Sequence, residues 1–153
     1  MNRLAKLLFV PVLLAAVPAC SVLRLDSVDF GWPVESVVTV SGTNTIEDIR
    51  YSVKAEVAPL AQEEFQDSTA LRGARLRLLR STEGYYFLTG AKFRHVYVFA
   101  PGPSSLTLTK AIQVSEVGLR NPALNQRPPF VELLDGDALR ILLTSDDIAE
   151  AKK

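Results

Sequence analysis

The chain has 153 residues, 48% of them hydrophobic and 22% charged, with 17 basic side chains against 17 acidic ones. That composition is the one expected of a globular chain and excludes a disordered one, and the charge balance lacks the basic excess of a nucleic-acid binder. Its lone cysteine, Cys20, rules out an intramolecular disulfide and a metal site built from several cysteines.

The first 20 residues have three parts. Arg3 and Lys6 give a positive start, Leu7 to Ala16 is an apolar run interrupted only by Pro11, and Val17-Pro18-Ala19-Cys20 closes it with a small residue before the cysteine. From Leu7 to Ala19 the apolar stretch is 13 residues, short of the roughly 20 that span a bilayer as a helix. Such a length suits the core of an export signal.

On Val17, Ala19 and Cys20, residues 1–20 resemble the bacterial lipoprotein signal family, with Pro18 standing where that family usually has Ala or Ser. The resemblance implies that the Cys20 thiol receives diacylglycerol and that cleavage makes Cys20 the mature N-terminus. Two or three acyl chains would then hold the domain on a membrane, each buried methylene adding about 0.8 kcal/mol. Ser21 stands where the family commonly places Asp to retain a lipoprotein in the inner membrane. The implied address is the periplasmic face of the outer membrane of a Gram-negative bacterium. Residues 1–19 are then the signal, 20–30 the lipidated N-terminus and a short tether, and 31–153 one domain of ordinary size. Without Arg3 and Lys6, the mature chain keeps 15 basic and 17 acidic residues.

Within that domain a period of two dominates. Val37 to Val40 is the first expected strand. Ile49, Tyr51, Val53, Ala55 and Val57 alternate with polar residues and predict a second. Pro59 to Phe65 fits either one short helix, with Leu60, Ala61, Glu64 and Phe65 near one another, or a loop. Ala74, Leu76 and Leu78 alternate with Arg75 and Arg77. Turns at 81–84 and 89–92 would fold the span 74–99 into three antiparallel strands. The last of these, 93–99, is apolar on both faces, which predicts a central strand or a groove lining. Pro101-Gly102-Pro103 ends it. Leu106 to Val114 is another strand, and Lys110 on its apolar side predicts a bulge or an early end. Asn121 to Pro129, with three prolines, reads as a loop. Phe130 to Leu134 and Leu139 to Leu143 flank the hairpin signal Asp135-Gly136, and Ser145 is placed to cap a helical turn or two through Lys152. The expectation is a mainly β domain, a single antiparallel β-sandwich or partly closed barrel with little helix.

Chemistry-bearing residues are few. His95 is the only histidine, so it cannot complete a multi-histidine metal site, and it is expected as a packed or half-exposed sheet residue. Catalysis by it would require a cleft with a carboxylate or serine alongside. Neither G-x-S-x-G nor a phosphate-binding glycine loop occurs. The acid pairs Glu63-Glu64, Asp135/Asp137 and Asp146-Asp147 lie where solvated acids are ordinary. Six of the aromatics and six basic residues concentrate between 72 and 99. Arg75, Arg77 and Arg94 with Tyr85 and Phe87 would form an interaction surface if their strands shared one face. No catalytic residue, metal or cofactor is expected. The expected function is a non-catalytic interaction or structural module, anchored by its lipid and meeting an envelope protein, glycan or lipid. The alternatives are a carrier with an apolar cavity between sheets and an envelope enzyme using His95.

Overall fold

A computed structural model describes residues 35–152. Cys20, the signal 1–19 and the tether 20–30 lie outside the described residues, as do 31–34 and 153 of the expected domain. The fold is mainly β and antiparallel, and its sheets face one another as a sandwich without closing into a barrel.

The first sheet holds β1 (Ser36–Thr39), β4 (Arg75–Arg80), β5 (Tyr86–Gly90), β6 (His95–Pro101) and β7 (Leu106–Gln113), in the order β1-β4-β5-β6-β7. Between β1 and β4 the chain makes a small hairpin, β2 (Thr45–Asp48) and β3 (Val53–Glu56), and one helix, α1 (Ala58–Phe65). The second sheet is a meander of β8 (Pro122–Arg127), β9 (Phe130–Asp135), β10 (Leu139–Leu143) and β11 (Ile148–Lys152), in the order β11-β10-β9-β8.

The first sheet is covered on both faces. One face packs on the second sheet: Leu79, Phe87, Val96 and Val98 meet Leu124, Leu133 and Leu143 in one buried core. The other face packs under α1 and the β2–β3 hairpin through Leu76, Leu88, Phe93, Tyr97, Leu60 and Ile46. Strands β5 and β6 are therefore buried on both sides, which is what the two apolar faces of 93–99 require. Gly90 permits the close packing within this layer, since a Cβ there would meet Leu76 Cδ2 at 2.6 Å.

Three local expectations are corrected. The strand expected over 49–57 is instead the hairpin β2–β3: the Asp48 carboxylate accepts the Tyr51 N–H (2.9 Å), and Ser52 turns left-handed with φ 52°. Only its second half is a strand, while Ile49 stands 88% exposed at the tip. The expected loop 121–129 is mostly β8, because its prolines sit at the strand's first position and in the turn beyond it, where no ladder donor is needed. The expected C-terminal helical turn is β11. Thr144, not Ser145, organises that segment, its Oγ1 accepting the N–H groups of Asp146 (3.3 Å) and Asp147 (3.0 Å) in a tight turn that returns the chain along β10.

The expected helix-or-loop segment is a helix. Pro59 lies in its first turn, where no amide partner is lost, and Gln66 ends it in a left-handed conformation with φ 60°. The bulge expected near Lys110 is present. Val98 pairs with Lys110 and Phe99 with Leu108, so Thr109 is the extra residue. It changes which side the following residues face: Leu106 packs on the α1 side, while Ile112 belongs to the core between the sheets.

Candidate functional site

On the α1 side, the small hairpin and the helix cover only part of the five-stranded sheet. At the end where β6 passes into β7 they leave a groove of about 670 Å³. Its floor is apolar: Leu78, Tyr86, Leu88, Phe99, Leu106 and Leu108. Leu108 is 45% exposed there. One wall is the 101–105 loop, and the other is residues 51–57 with Pro59 and Leu60. The Tyr51 ring packs edge-on against Tyr86, centroids 5.8 Å apart, which fixes the hairpin over the sheet, and the Arg80 guanidinium lies 5.8 Å from the Tyr86 ring centre. The chain enters the sheet at the same end, since Ser36 of β1 pairs with Leu78 of the groove floor.

The chemically dense cluster lies elsewhere, under α1. Glu64 has a fully buried carboxylate. Its Oε2 accepts the Arg94 N–H (2.9 Å), and its Oε1 accepts the His95 N–H (3.1 Å) and the Tyr97 hydroxyl (3.1 Å). His95 Nδ1 lies 2.9 Å from the same Oε1, and Arg94 Nε stands 3.6 Å from Oε2. Burial, and then the charges of Glu64 and Glu63, hold the Tyr97 phenol well above its ordinary range, so it remains a donor. This hub fastens the helix to β6, and it satisfies a buried charge as burial demands. It also corrects the expectation that Glu63-Glu64 is a solvated pair. The signal was present in the helix spacing, which sets Glu64 on one face with Leu60 and Ala61.

His95 is thus a half-buried sheet histidine with a carboxylate at one ring nitrogen. Neither it nor Glu64 lines the groove. The Thr89 hydroxyl donates to the His95 backbone carbonyl (3.0 Å), and Thr89 is itself fully buried. Among the described residues no three His, Cys, Asp or Glu side chains are grouped to hold a metal ion.

The five residues singled out as an interaction surface are not brought together. Phe87 is 1% exposed between the sheets. Tyr85 packs at the border of that core. Arg77 is paired with Glu35 (3.2 Å), whose other oxygen accepts the Leu124 N–H (2.7 Å) of the second sheet. Arg94 reaches back to Glu64, and Arg75 is exposed at the start of β4. Of the other acid pairs, Asp137, Asp146 and Asp147 are exposed as expected, and Asp135 is structural. Asp135 accepts the Arg120 and Asn121 N–H groups (2.9 and 2.6 Å), closing the entry to β8. Sequence reasoning reached only one part of the groove, the lining offered for 93–99, through Phe99; its walls, 51–57 and 101–105, come from segments some fifty residues apart. No protein-family model, curated protein or solved structure matches this chain.

Proposed function

We propose that the protein is an exported lipoprotein, anchored through Cys20 at the periplasmic face of a Gram-negative outer membrane, whose β-domain binds another envelope component in its groove and catalyses no reaction. The observation that carries this reading is the groove itself. It is a concave cleft with an apolar floor, in which Leu108 is 45% exposed while Leu78, Tyr86 and Leu88 are buried, on a domain whose other sheet face is closed, and apolar clefts of this size are ordinary binding sites. Its position supports the anchor reading, because the chain enters at the groove's end of the sheet. Between Cys20 and Glu35 lie 14 residues, a reach of about 50 Å when extended. Such a tether lets the groove meet partners close to the membrane. A carrier of a lipid or other apolar ligand is the second reading. The same groove volume favours it, since it falls within the ordinary range of small-molecule pockets.

Metabolic labelling with radioactive palmitate and photo-crosslinking in intact envelopes test the proposal. Wild type should take up label and Cys20→Ser should not. A photoreactive residue in place of Leu108 should give one discrete, protease-sensitive adduct, and one in place of Arg75 should give none. Label retained by Cys20→Ser removes the anchor. Equal adducts from both positions, or none, remove the groove as the contact surface.

A further inference from the structure

We propose that the groove's occupant is an extended polypeptide segment of an envelope protein, which pairs as an added strand with the open edge of β3. The inference rests on the groove being the interaction site and names what that site recognises. Six consecutive residues, 52–57, line the groove. Side chains of a strand alternate between faces, so a run of neighbours lining one space means that the backbone edge forms the wall.

The register says which groups that edge presents. The Val57 N–H donates to the Asn44 carbonyl (2.8 Å), and Thr45 pairs with Glu56, Ile46 with Ala55, Glu47 with Lys54 and Asp48 with Val53. In an antiparallel ladder, hydrogen-bonded and non-bonded pairs alternate. Residues 53, 55 and 57 therefore turn their amides toward β2, and Lys54 and Glu56 turn theirs away, into the groove. Two further bonds agree with this phase. The Thr45 carbonyl, which must point away from β3, accepts the Ser41 N–H (2.8 Å), and the Ser52 N–H closes the four-residue loop onto the Ile49 carbonyl (3.2 Å). No hydrogen bond to another described residue occupies the outward N–H or C=O of Lys54 or Glu56.

The wall thus offers backbone donors and acceptors at strand spacing, and the floor offers Leu78, Tyr86, Phe99 and Leu108 below it. An added strand uses both at once: its amides pair with β3, and every second side chain drops onto the floor. An acyl chain would use the floor alone. Lys54 and Glu56 are exposed beside the edge, so the favoured segment alternates apolar residues with an acid opposite Lys54 and a base opposite Glu56.

The test uses the purified full-length protein in detergent and the peptide acetyl-Thr-Val-Arg-Val-Glu-Val-Thr-amide, which antiparallel to β3 sets its Glu opposite Lys54 and its Arg opposite Glu56. Three comparison probes go with it: the same residues with the valines contiguous, the alternating peptide N-methylated at alternate amides, and palmitate. Hydrogen exchange at the Lys54 and Glu56 amides should slow about tenfold or more with the alternating peptide and stay unchanged with the other three. Lys54→Pro removes one outward N–H without touching the β2–β3 ladder, and it should abolish binding while leaving the melting temperature near that of wild type. Leu108→Arg, a surface change on the floor, should abolish it too. Protection by palmitate with none by the alternating peptide overturns the proposal in favour of an apolar ligand, and so does equal binding of the N-methylated peptide. If the crosslink at position 108 forms in envelopes but survives Lys54→Pro, strand addition fails while the groove stands. If no such crosslink forms, the groove itself fails.

Discussion

The two faces of the five-stranded sheet are covered by different means. Toward the second sheet, apolar side chains interdigitate, and Leu79, Val96, Val98, Leu133 and Leu143 are wholly inaccessible. Toward α1, the cover is smaller, and it is fastened by a buried carboxylate as well as by aliphatic packing. Apolar contact is non-directional and spreads over any area available, whereas the Glu64 hub holds at one point. A helix of eight residues and a hairpin of two four-residue strands held in that way leave the end of the sheet uncovered. The remainder is the groove. Partial cover of one face is how this sandwich comes to have a groove with an apolar floor.

Four measurements would break or sharpen that contrast. Truncating the closed face should cost most: Phe87→Ala is expected to lose about 4 kcal/mol in denaturant unfolding, from lost burial and the cavity left behind. Glu64→Ala should cost about 3 kcal/mol, because His95, Tyr97 and two amides lose a buried acceptor. Its signature should be local. Amide exchange should accelerate across α1 while β8 to β10 stay protected. Uniform loss would mean that the hub supports both faces equally.

A smaller effect is expected on the outer side of the second sheet. Glu132 is buried, and that burial would raise its pKa. Hydrogen bonds from Arg127 (3.2 Å) and from Arg140 and Asn125 outweigh it, leaving the carboxyl below the ordinary 4.5. A folded-state value below the unfolded one adds stability above that ordinary value and loses it as pH falls through the folded value. Glu132→Gln should therefore flatten the loss of stability below about pH 4.5, read by melting at a series of pH values. An unchanged acid limb would place the proton-linked stability elsewhere. Leu108→Ser should matter least, under about 0.5 kcal/mol, since the side chain is already half open to solvent. A large loss there would mean that the groove is packed core.

Sequence made the repetitive parts of this fold readable. The strands β4 to β6 keep a period of two between local turns, and Asp135-Gly136 announces β9–β10 by its own backbone preference. Where one side chain redirected the backbone, pattern misled. The alternation from Ile49 to Val57 runs straight through a turn that the Asp48 carboxylate makes, and Thr144 does the same before β11. At β8 the prolines looked like loop residues, and only pairing with β9 shows that they sit at the strand's ends. The aromatic and basic concentration in 72–99 was visible, but not its partition. Phe87 turns to one core, Tyr97 to the other, and Arg77 and Arg94 find acids at positions 35 and 64. Glu64 shows the limit most sharply, because its helical face was legible and its partners, thirty residues onward, were not.

Glu35, the first described residue, joins both layers at the point where the chain enters them. One oxygen meets Arg77 on β4 and the other meets the Leu124 amide on β8. The side chain of Glu35 thus has an arm in each sheet, one residue ahead of the ladder of the edge strand β1. Displacing Glu35 therefore breaks a contact in each of the two layers.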